Sequence, residues 1–194
     1  MSEKTPCTKC GALVLPSTAE RTGGLCMPCK SGNRENIERG KEYYKKQREL
    51  DKTCPYRALW KELINKVYHT EGGFNVLSEE EQLYFAVNVL TGEVYNGGFD
   101  QFFTNSSGAY YRKAELGLVR LGATHSLKLL RQAKERCFGA NSVPQDREKR
   151  WELLRKNIPE PELDSLDTLF YKDPDQLEQK LESFAIEVGL IKNS

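Results

Sequence analysis

The sequence predicts an all-α helical domain with a small four-cysteine zinc finger at its N-terminal end. Three observations predict it. Two Cys-x-x-Cys pairs lie within the first 30 residues. From Leu59 to Val188 apolar residues recur at helical spacing, and no alternating strand pattern of useful length appears. Between these regions, Lys30 to Lys52 is almost free of aliphatic residues, as expected of a solvated helix. The 194 residues therefore divide into a zinc-binding module (1–32), a charged helical connector (33–53) and a helical domain (54–194). Hydrophobic content of 38% can build a core, and 29% charged residues leave a polar surface. A formal net charge of +1 makes the whole chain neither a polyanion nor a polycation.

Cys7-x-x-Cys10 and Cys26-x-x-Cys29 are separated by fifteen residues, the spacing of a four-cysteine zinc site. Two residues between ligands let one tight turn present both sulfurs to the same ion. Gly11 follows the first pair, where a positive-φ residue closes such a turn, and Gly23-Gly24 precedes the second. A module of about 30 residues cannot bury enough surface to fold alone, so one structural Zn2+ would supply its folding free energy. Four thiolates close the coordination shell and leave no position for catalysis. Two matched pairs also argue against a redox dithiol. The arrangement resembles zinc ribbons, and it also resembles treble-clef fingers of the GATA type, in which the second pair opens a helix. Arg21 is the one basic residue between Gly11 and Gly24, so no aromatic-plus-basic recognition face stands out there.

In the connector, Arg34, Arg39, Lys41, Lys45, Lys46 and Arg48 alternate with Glu35, Glu38, Glu42 and Glu49. Opposite charges three or four apart support an exposed helix, with Tyr43 and Tyr44 as docking points. From Met1 to Leu50 there are ten Lys/Arg against six Asp/Glu, a difference of +4 that leaves −3 for the remainder. The front end thus favours an acidic partner, nucleic acid contacted through residues 1–52 among them.

The helical domain starts after Cys54-Pro55. Leu59, Leu63, Ile64 and Val67 make the stripe of a first helix, ended near Gly72-Gly73. Ser78-Glu79-Glu80-Glu81 is a capping box, and Leu83, Val87, Leu90 and Val94 follow it, with Tyr84, Phe85, Ala86 and Val89 on most other sides. A helix apolar nearly all round is a buried one. Asn96-Gly97-Gly98 is expected to stop it. Phe99, Phe102 and Phe103 then give a short second helix one aromatic face, and Asn105, Ser106 and Ser107 suit the cap of the next. Ala114, Leu118 and Leu121 mark a helix stopped by Gly122. Thr124 is expected to cap another, with Leu127, Leu130, Ala133 and Cys137 on one face. Trp151 and Leu154 lie on a short charged helix ended by Pro159 and Pro161. Leu163, Leu166, Leu169 and Phe170 form an amphipathic segment. Asp173-Pro174 should open the last helix, with Leu177, Leu181, Phe184 and Val188 inward.

Around the glycine bend, Asn96, Asp100, Gln101 and Asn105 are the candidate partner-binding residues. The plainer alternative is that they satisfy backbone groups at a tight helix junction. The run Asn-Gly-Gly-Phe-Asp-Gln-Phe-Phe-Thr-Asn-Ser-Ser-Gly, Asn96 to Gly108, followed by a helix ending in Leu121-Gly122-Ala123, resembles the DMP19 family. The resemblance covers roughly Tyr56 to Val188. It implies an all-α fold and a non-enzymatic protein that binds another protein, such as a transcription regulator or a toxin, and it brings no catalytic residues. The family takes its name from an acidic DNA mimic. Gly139 to Ser194 holds twelve acidic residues against eight Lys/Arg, so only a local acidic face around residues 160–178 would imitate a phosphate track.

The remaining candidates have ordinary readings. His69 and His125 lie far apart in sequence and suit surface or capping roles. Cys54 and Cys137 read as small core residues. No phosphate loop, His-Glu-x-x-His, nucleophile elbow or spaced metal carboxylates occur, so no enzyme is expected and no catalytic residue is assigned. No apolar run approaches a membrane span and Met1 to Cys10 has no signal-peptide core, so the expected location is cytoplasmic, without a membrane partner. The leading expectation is an adaptor with a protein partner, with room for a homodimer. The rival is a nucleic-acid-binding protein using the finger and the basic connector helix.

Overall fold

The computed structural model describes residues 3–156 and 162–192. Contacts along the backbone divide the chain into two units, Met1–Cys54 and Pro55–Ser194. In the first, β1 (Thr5–Pro6) pairs antiparallel with β2 (Leu13–Val14), Thr5 opposite Val14. Two-residue strands are too short to leave an alternation in the sequence, which is why this hairpin was not expected. A short helix, α1 (Pro16–Thr22), was also not expected; it begins at a proline, whose fixed φ suits a first helical turn. α2 (Met27–Lys30) starts immediately after Cys26, so the second cysteine pair does open a helix. α3 (Arg34–Thr53) runs for 20 residues and buries none of them.

The second unit is built around one helix. α4 (Pro55–His69) lays Leu59, Leu63 and Val67 inward, then a 3-10 turn (Gly73–Val76) leads to α5 (Glu79–Thr104). The capping box is present in full: the Glu81 N–H donates to Ser78 Oγ (3.2 Å) and the Ser78 N–H to Glu81 Oε2 (2.8 Å). Phe85, Ala86, Val87, Leu90 and Val94 are fully buried. A second 3-10 turn (Ser106–Tyr110) precedes α6 (Tyr111–Arg120), α7 (Thr124–Phe138), α8 (Arg147–Lys156), α9 (Asp164–Phe170) and α10 (Leu177–Glu187). α4, α6, α8, α9 and α10 all pack on α5. Where α6 meets α5, a side-chain carbon on Gly117 would lie 2.5 Å from Val87 Cγ2 and 3.1 Å from the Leu83 carbonyl, so glycine suits this close approach.

Asn96-Gly97-Gly98 breaks the helix as expected: Gly97 and Gly98 leave helical geometry, and a second helical segment carrying Phe99, Phe102 and Phe103 runs on from the kink to Thr104. Other expected helix ends are corrected. Thr124 is the first residue of α7 and makes no cap; the Ser126 N–H is taken instead by Asp175 Oδ2 at 2.7 Å, from 49 residues away. Asp173-Pro174 does not open α10, which begins at Leu177; the Asp173 carboxylate reaches forward to accept the Leu177 N–H at 3.0 Å. Leu169 is exposed, because Leu166 and Phe170 hold the buried side of a two-turn helix. Pro159, Pro161 and Glu160 lie outside the described residues.

Candidate functional site

Two places gather the chemistry. In the first unit, the turn after Cys7 closes through the Gly11 N–H to the Cys7 carbonyl (2.8 Å), with Gly11 at φ +74°. The Cys7 N–H bonds the Ala12 carbonyl, and the Thr8 N–H reaches the Gly24 carbonyl at 3.0 Å, joining the two cysteine turns. The Cys26 N–H donates to Cys7 Sγ at 3.2 Å. As a result the sulfurs of Cys7, Cys10, Cys26 and Cys29 all lie within 4.8 Å of one another. Cys10 Sγ and Cys26 Sγ are 3.6 Å apart. A tetrahedral ion with bonds to sulfur of about 2.3 Å holds its ligands about 3.8 Å apart. The four sulfurs therefore fit a single metal ion, and their separation is far too long for a disulfide.

The thiols differ before any ion is considered. The Cys26 N–H brings the Cys7 thiol down to about 6, whereas burial pushes Cys29 up to about 12. A cation among the sulfurs favours the thiolate at every position.

The second place is the kink of α5. Gly98 has φ +75°, a conformation open chiefly to glycine, and a side-chain carbon there would lie within 2.8 Å of Asp167 Cγ. Asp167 comes this close because it accepts the Phe99 N–H at 2.9 Å, satisfying a donor that the broken helix leaves free. Phe99, Phe102 and Phe103 are driven fully inside, Phe99 edge-on to Phe170 and Phe103 edge-on to Phe138.

Three of the four candidate partner-binding residues are joined to one another and to Glu93. Glu93 accepts from Gln101 Nε2 (2.6 Å), Asn105 Nδ2 (3.0 Å) and Ser107 Oγ (2.9 Å), and Asn96 Nδ2 donates to Gln101 Oε1 (3.1 Å). Asn105 and Ser107 thus turn back to Glu93 and do not cap the following turn. Asp100 is exposed.

Sequence reasoning missed Glu93, although it is the one carboxylate between Gln82 and Phe99 in a largely apolar stretch. It also missed Arg150, which is fully buried and donates to the carbonyls of Phe103 (3.0 Å), Asn105 (2.6 Å), Pro144 (2.8 Å) and Gln145 (2.7 Å). With Arg147 and Trp151 on the Thr104 carbonyl, it covers the C-terminal end of α5, where a cation is favoured.

Beside the kink the surface is acidic and aromatic. Tyr95 and Tyr171 stack with ring centroids 5.6 Å apart, and the Tyr171 hydroxyl donates to the Val94 carbonyl. Both rings remain nearly half exposed, at 49% and 45%. Burial, then Asp173 and Glu178, raises the Tyr95 phenol; burial, then Asp167 and Asp164, raises that of Tyr171. Burial also raises the Asp167 carboxyl, opposed by the Phe99 N–H and assisted by Asp164 and Asp100. The charges of Asp173 and Glu178 thus act on Tyr95, and those of Asp164 and Asp167 on Tyr171.

Elsewhere, a groove along α10 is lined by Arg120, Lys180 and Phe184, but its cations are engaged. Arg120 pairs with Glu187 at 2.6 Å, and Lys180 donates to the Leu121 carbonyl at 3.1 Å. His125 Nε2 is buried without a hydrogen-bond partner among the described residues. No helix among the described residues is long and apolar enough to cross a membrane.

No curated protein and no solved structure gives a match to this chain. A family model described as DMP19-like protein matches residues 75–188, from the end of the first 3-10 turn to the end of α10. The match takes in the kink, the Glu93 cluster and the acidic tyrosine face, and leaves α4 and the cysteine unit outside it. The chain belongs to the DMP19-like family.

Proposed function

We propose that this protein is a non-enzymatic adaptor, in which a zinc-stabilised N-terminal unit accompanies a DMP19-like domain that binds a basic surface on a partner protein. The observation that carries the reading is the exposed stack of Tyr95 and Tyr171, on which the charges of Asp173 and Glu178, and of Asp164 and Asp167, act. Stacked tyrosines offer rigid contact area at low entropic cost, and their ring faces attract lysine and arginine. Residues 162–178 carry six carboxylates and one lysine, a local field that steers a basic partner. With a chain total of +1, the field belongs to a patch and not to a body-wide imitation of DNA. The partner is a regulator or toxin with a basic, DNA-facing or RNA-facing surface. Asn96, Gln101 and Asn105 hold the kink in place for this face, and Asp100 meets the partner.

Zinc is the ion inferred for Cys7, Cys10, Cys26 and Cys29: an all-thiolate, closed tetrahedral set at two Cys-x-x-Cys turns suits it, and such a site is structural. Six unbridged cysteines suit the reducing cytoplasm. The test is an affinity capture from nuclease-treated lysate, repeated at raised salt, with the full chain and two double variants, Asp164→Lys with Glu178→Lys and Tyr95→Ala with Tyr171→Ala. The reading expects a protein held by the parent chain and lost from both variants while their melting stays near that of the parent. A partner retained by both overturns it.

A further inference from the structure

The charges of α3 are sorted by face. At 100° per residue, Arg34, Lys41, Lys45, Arg48 and Lys52 fall within a strip about 60° wide, running about 27 Å along the helix. No carboxylate lies inside the strip. Glu35, Glu38, Glu42 and Glu49 gather on one flank, and the exposed Ile37 and Tyr44 lie on the other, with Asp51 beyond them. Glu38 pairs with Arg34 (3.3 Å) and Lys41 (3.0 Å), and Glu49 with Lys52 (3.6 Å). Lys45 and Arg48, at the centre, hold no ion pair among the described residues.

We propose that the Arg34–Lys52 strip of α3 is a binding site for the phosphate backbone of nucleic acid. It belongs to the first unit and does not depend on the protein-binding face of the second. Charge complementarity selects the occupant: residues 1–54 carry eleven Lys/Arg against seven Asp/Glu, a difference of +4, and the strip concentrates five of those cations in a line. From Lys41 to Lys52, steps of three and four residues space the cations about 4.5–6 Å apart along the axis, with Arg34 a further two turns away, so one strand can be followed from phosphate to phosphate. The ion pairs on the flank are solvent-exposed, and such pairs are worth at most about 1 kcal/mol, so their cations are free to exchange glutamate for phosphate. Arg34 and Arg48 can grip a phosphate with two parallel N–H groups. Tyr44, three residues after Lys41 and four before Arg48, can stack on a base or sugar beside the strip. Nothing in the strip reads base edges, so binding is indifferent to sequence.

The test uses the full, metal-loaded chain with a labelled short DNA duplex and the corresponding single strand, followed by fluorescence anisotropy from about 50 to about 200 mM salt. Five engaged cations give a slope of log K against log salt of about −4 to −5 on duplex. Lys45→Gln with Arg48→Gln should lower the affinity roughly tenfold and make the slope shallower by about 2. Arg39→Gln with Lys46→Gln removes the same charge from the opposite face and should leave the slope near that of the parent chain. Equal losses in the two double variants would show a response to net charge alone and overturn the site. So would absence of binding at the lowest salt, or a polyglutamate chain competing as well as DNA.

Discussion

The two units of this chain answer the same physical problem by different means. In the first, the buried core consists of Cys7, Cys26 and Cys29, with Cys10, Val14 and Leu25 packed against them, and its longest helix buries nothing. In the second, Phe85, Phe99, Phe102, Phe103, Phe138 and Phe170 are all buried around a central helix. Fifty residues with so little apolar content cannot offset chain entropy by burial, and an ion held by the four clustered cysteines would supply the difference. The helical domain has area to bury, and its constraint lies elsewhere: the polar groups that burial traps must each find a partner. Glu93, Asp167, Asp175 and Arg150 meet that need across breaks in helices, far along the sequence.

The largest expected effect breaks the comparison at its metal end. Cys26→Ser, or chelation of the parent protein, should release the ion and unfold the first unit, because structural zinc contributes about 10–16 kcal/mol in small modules. Cleavage by protease should then spread through residues 1–54, while a fragment from near Pro55 resists and melts as before. Elemental analysis of fresh, reduced protein checks the ion itself. If the helical domain lost its melting transition together with the ion, the two units would not be independently held.

A smaller effect is expected at the kink. Gly98→Val forces a side chain into left-handed geometry, at about 1–2 kcal/mol. It also drives that side chain into Asp167, and overpacking of this kind costs about 1–3 kcal/mol more. Against a net stability of about 5–15 kcal/mol the sum should lower the melting temperature of the helical domain by about 10 °C, with metal content unchanged. The cause can be separated by a cycle: in an Asp167→Ala background, Gly98→Ala should cost less than it does alone, since the clash is gone and only the backbone term remains. Equal costs in both backgrounds would place the strain in the backbone only.

Much of this was legible. The four cysteines, the capping box and the apolar stripes are local patterns, and local physics fixes them: a turn of two residues, a helix start, a period of 3.6. The bend was legible too, because two adjacent glycines after a buried helix have few other uses. What holds it was not, since the Phe99 N–H freed at the break is taken by Asp167, 68 residues away. Arg150 is the clearest failure. It sits in a helix that reads as wholly solvated, yet it is fully buried, and Gly108 makes room for it: a side-chain carbon there would lie 2.6 Å from Arg150 Nε. Asn96, Gln101 and Asn105 read either as partner-binding groups or as groups serving the backbone of the junction, and the side-chain partner was missed because the carboxylate that gathers Gln101 and Asn105 lies eight and twelve residues earlier, across the kink. Long-range polar partners leave no period in a sequence.

The smallest effect sharpens the comparison through pH. Metal binding by thiolates weakens in acid, so the first unit should fail first as pH falls. The helical domain should respond less, because its buried carboxylates pull in opposite directions. Burial works against the charge on Glu115, but bonds from Arg131 (2.8 Å) and Arg112 (2.6 Å) outweigh it and hold the carboxyl below its ordinary value of 4.5. A group lowered on folding contributes stability above its ordinary value and loses it as pH falls through the folded one. Asp167 runs the other way: raised above 3.8 by burial, it takes up its proton earlier in the folded state, so acid restores stability that its ionisation had cost. Glu115→Gln should therefore destabilise the domain at neutral pH by about 1 kcal/mol, since both arginines are largely exposed. That gap should close as pH falls below about 4.5, where the parent carboxylate protonates as well. Denaturant melts of the two proteins across this range check it, and a gap that stayed constant with pH would mean that Glu115 acts by packing and not by charge.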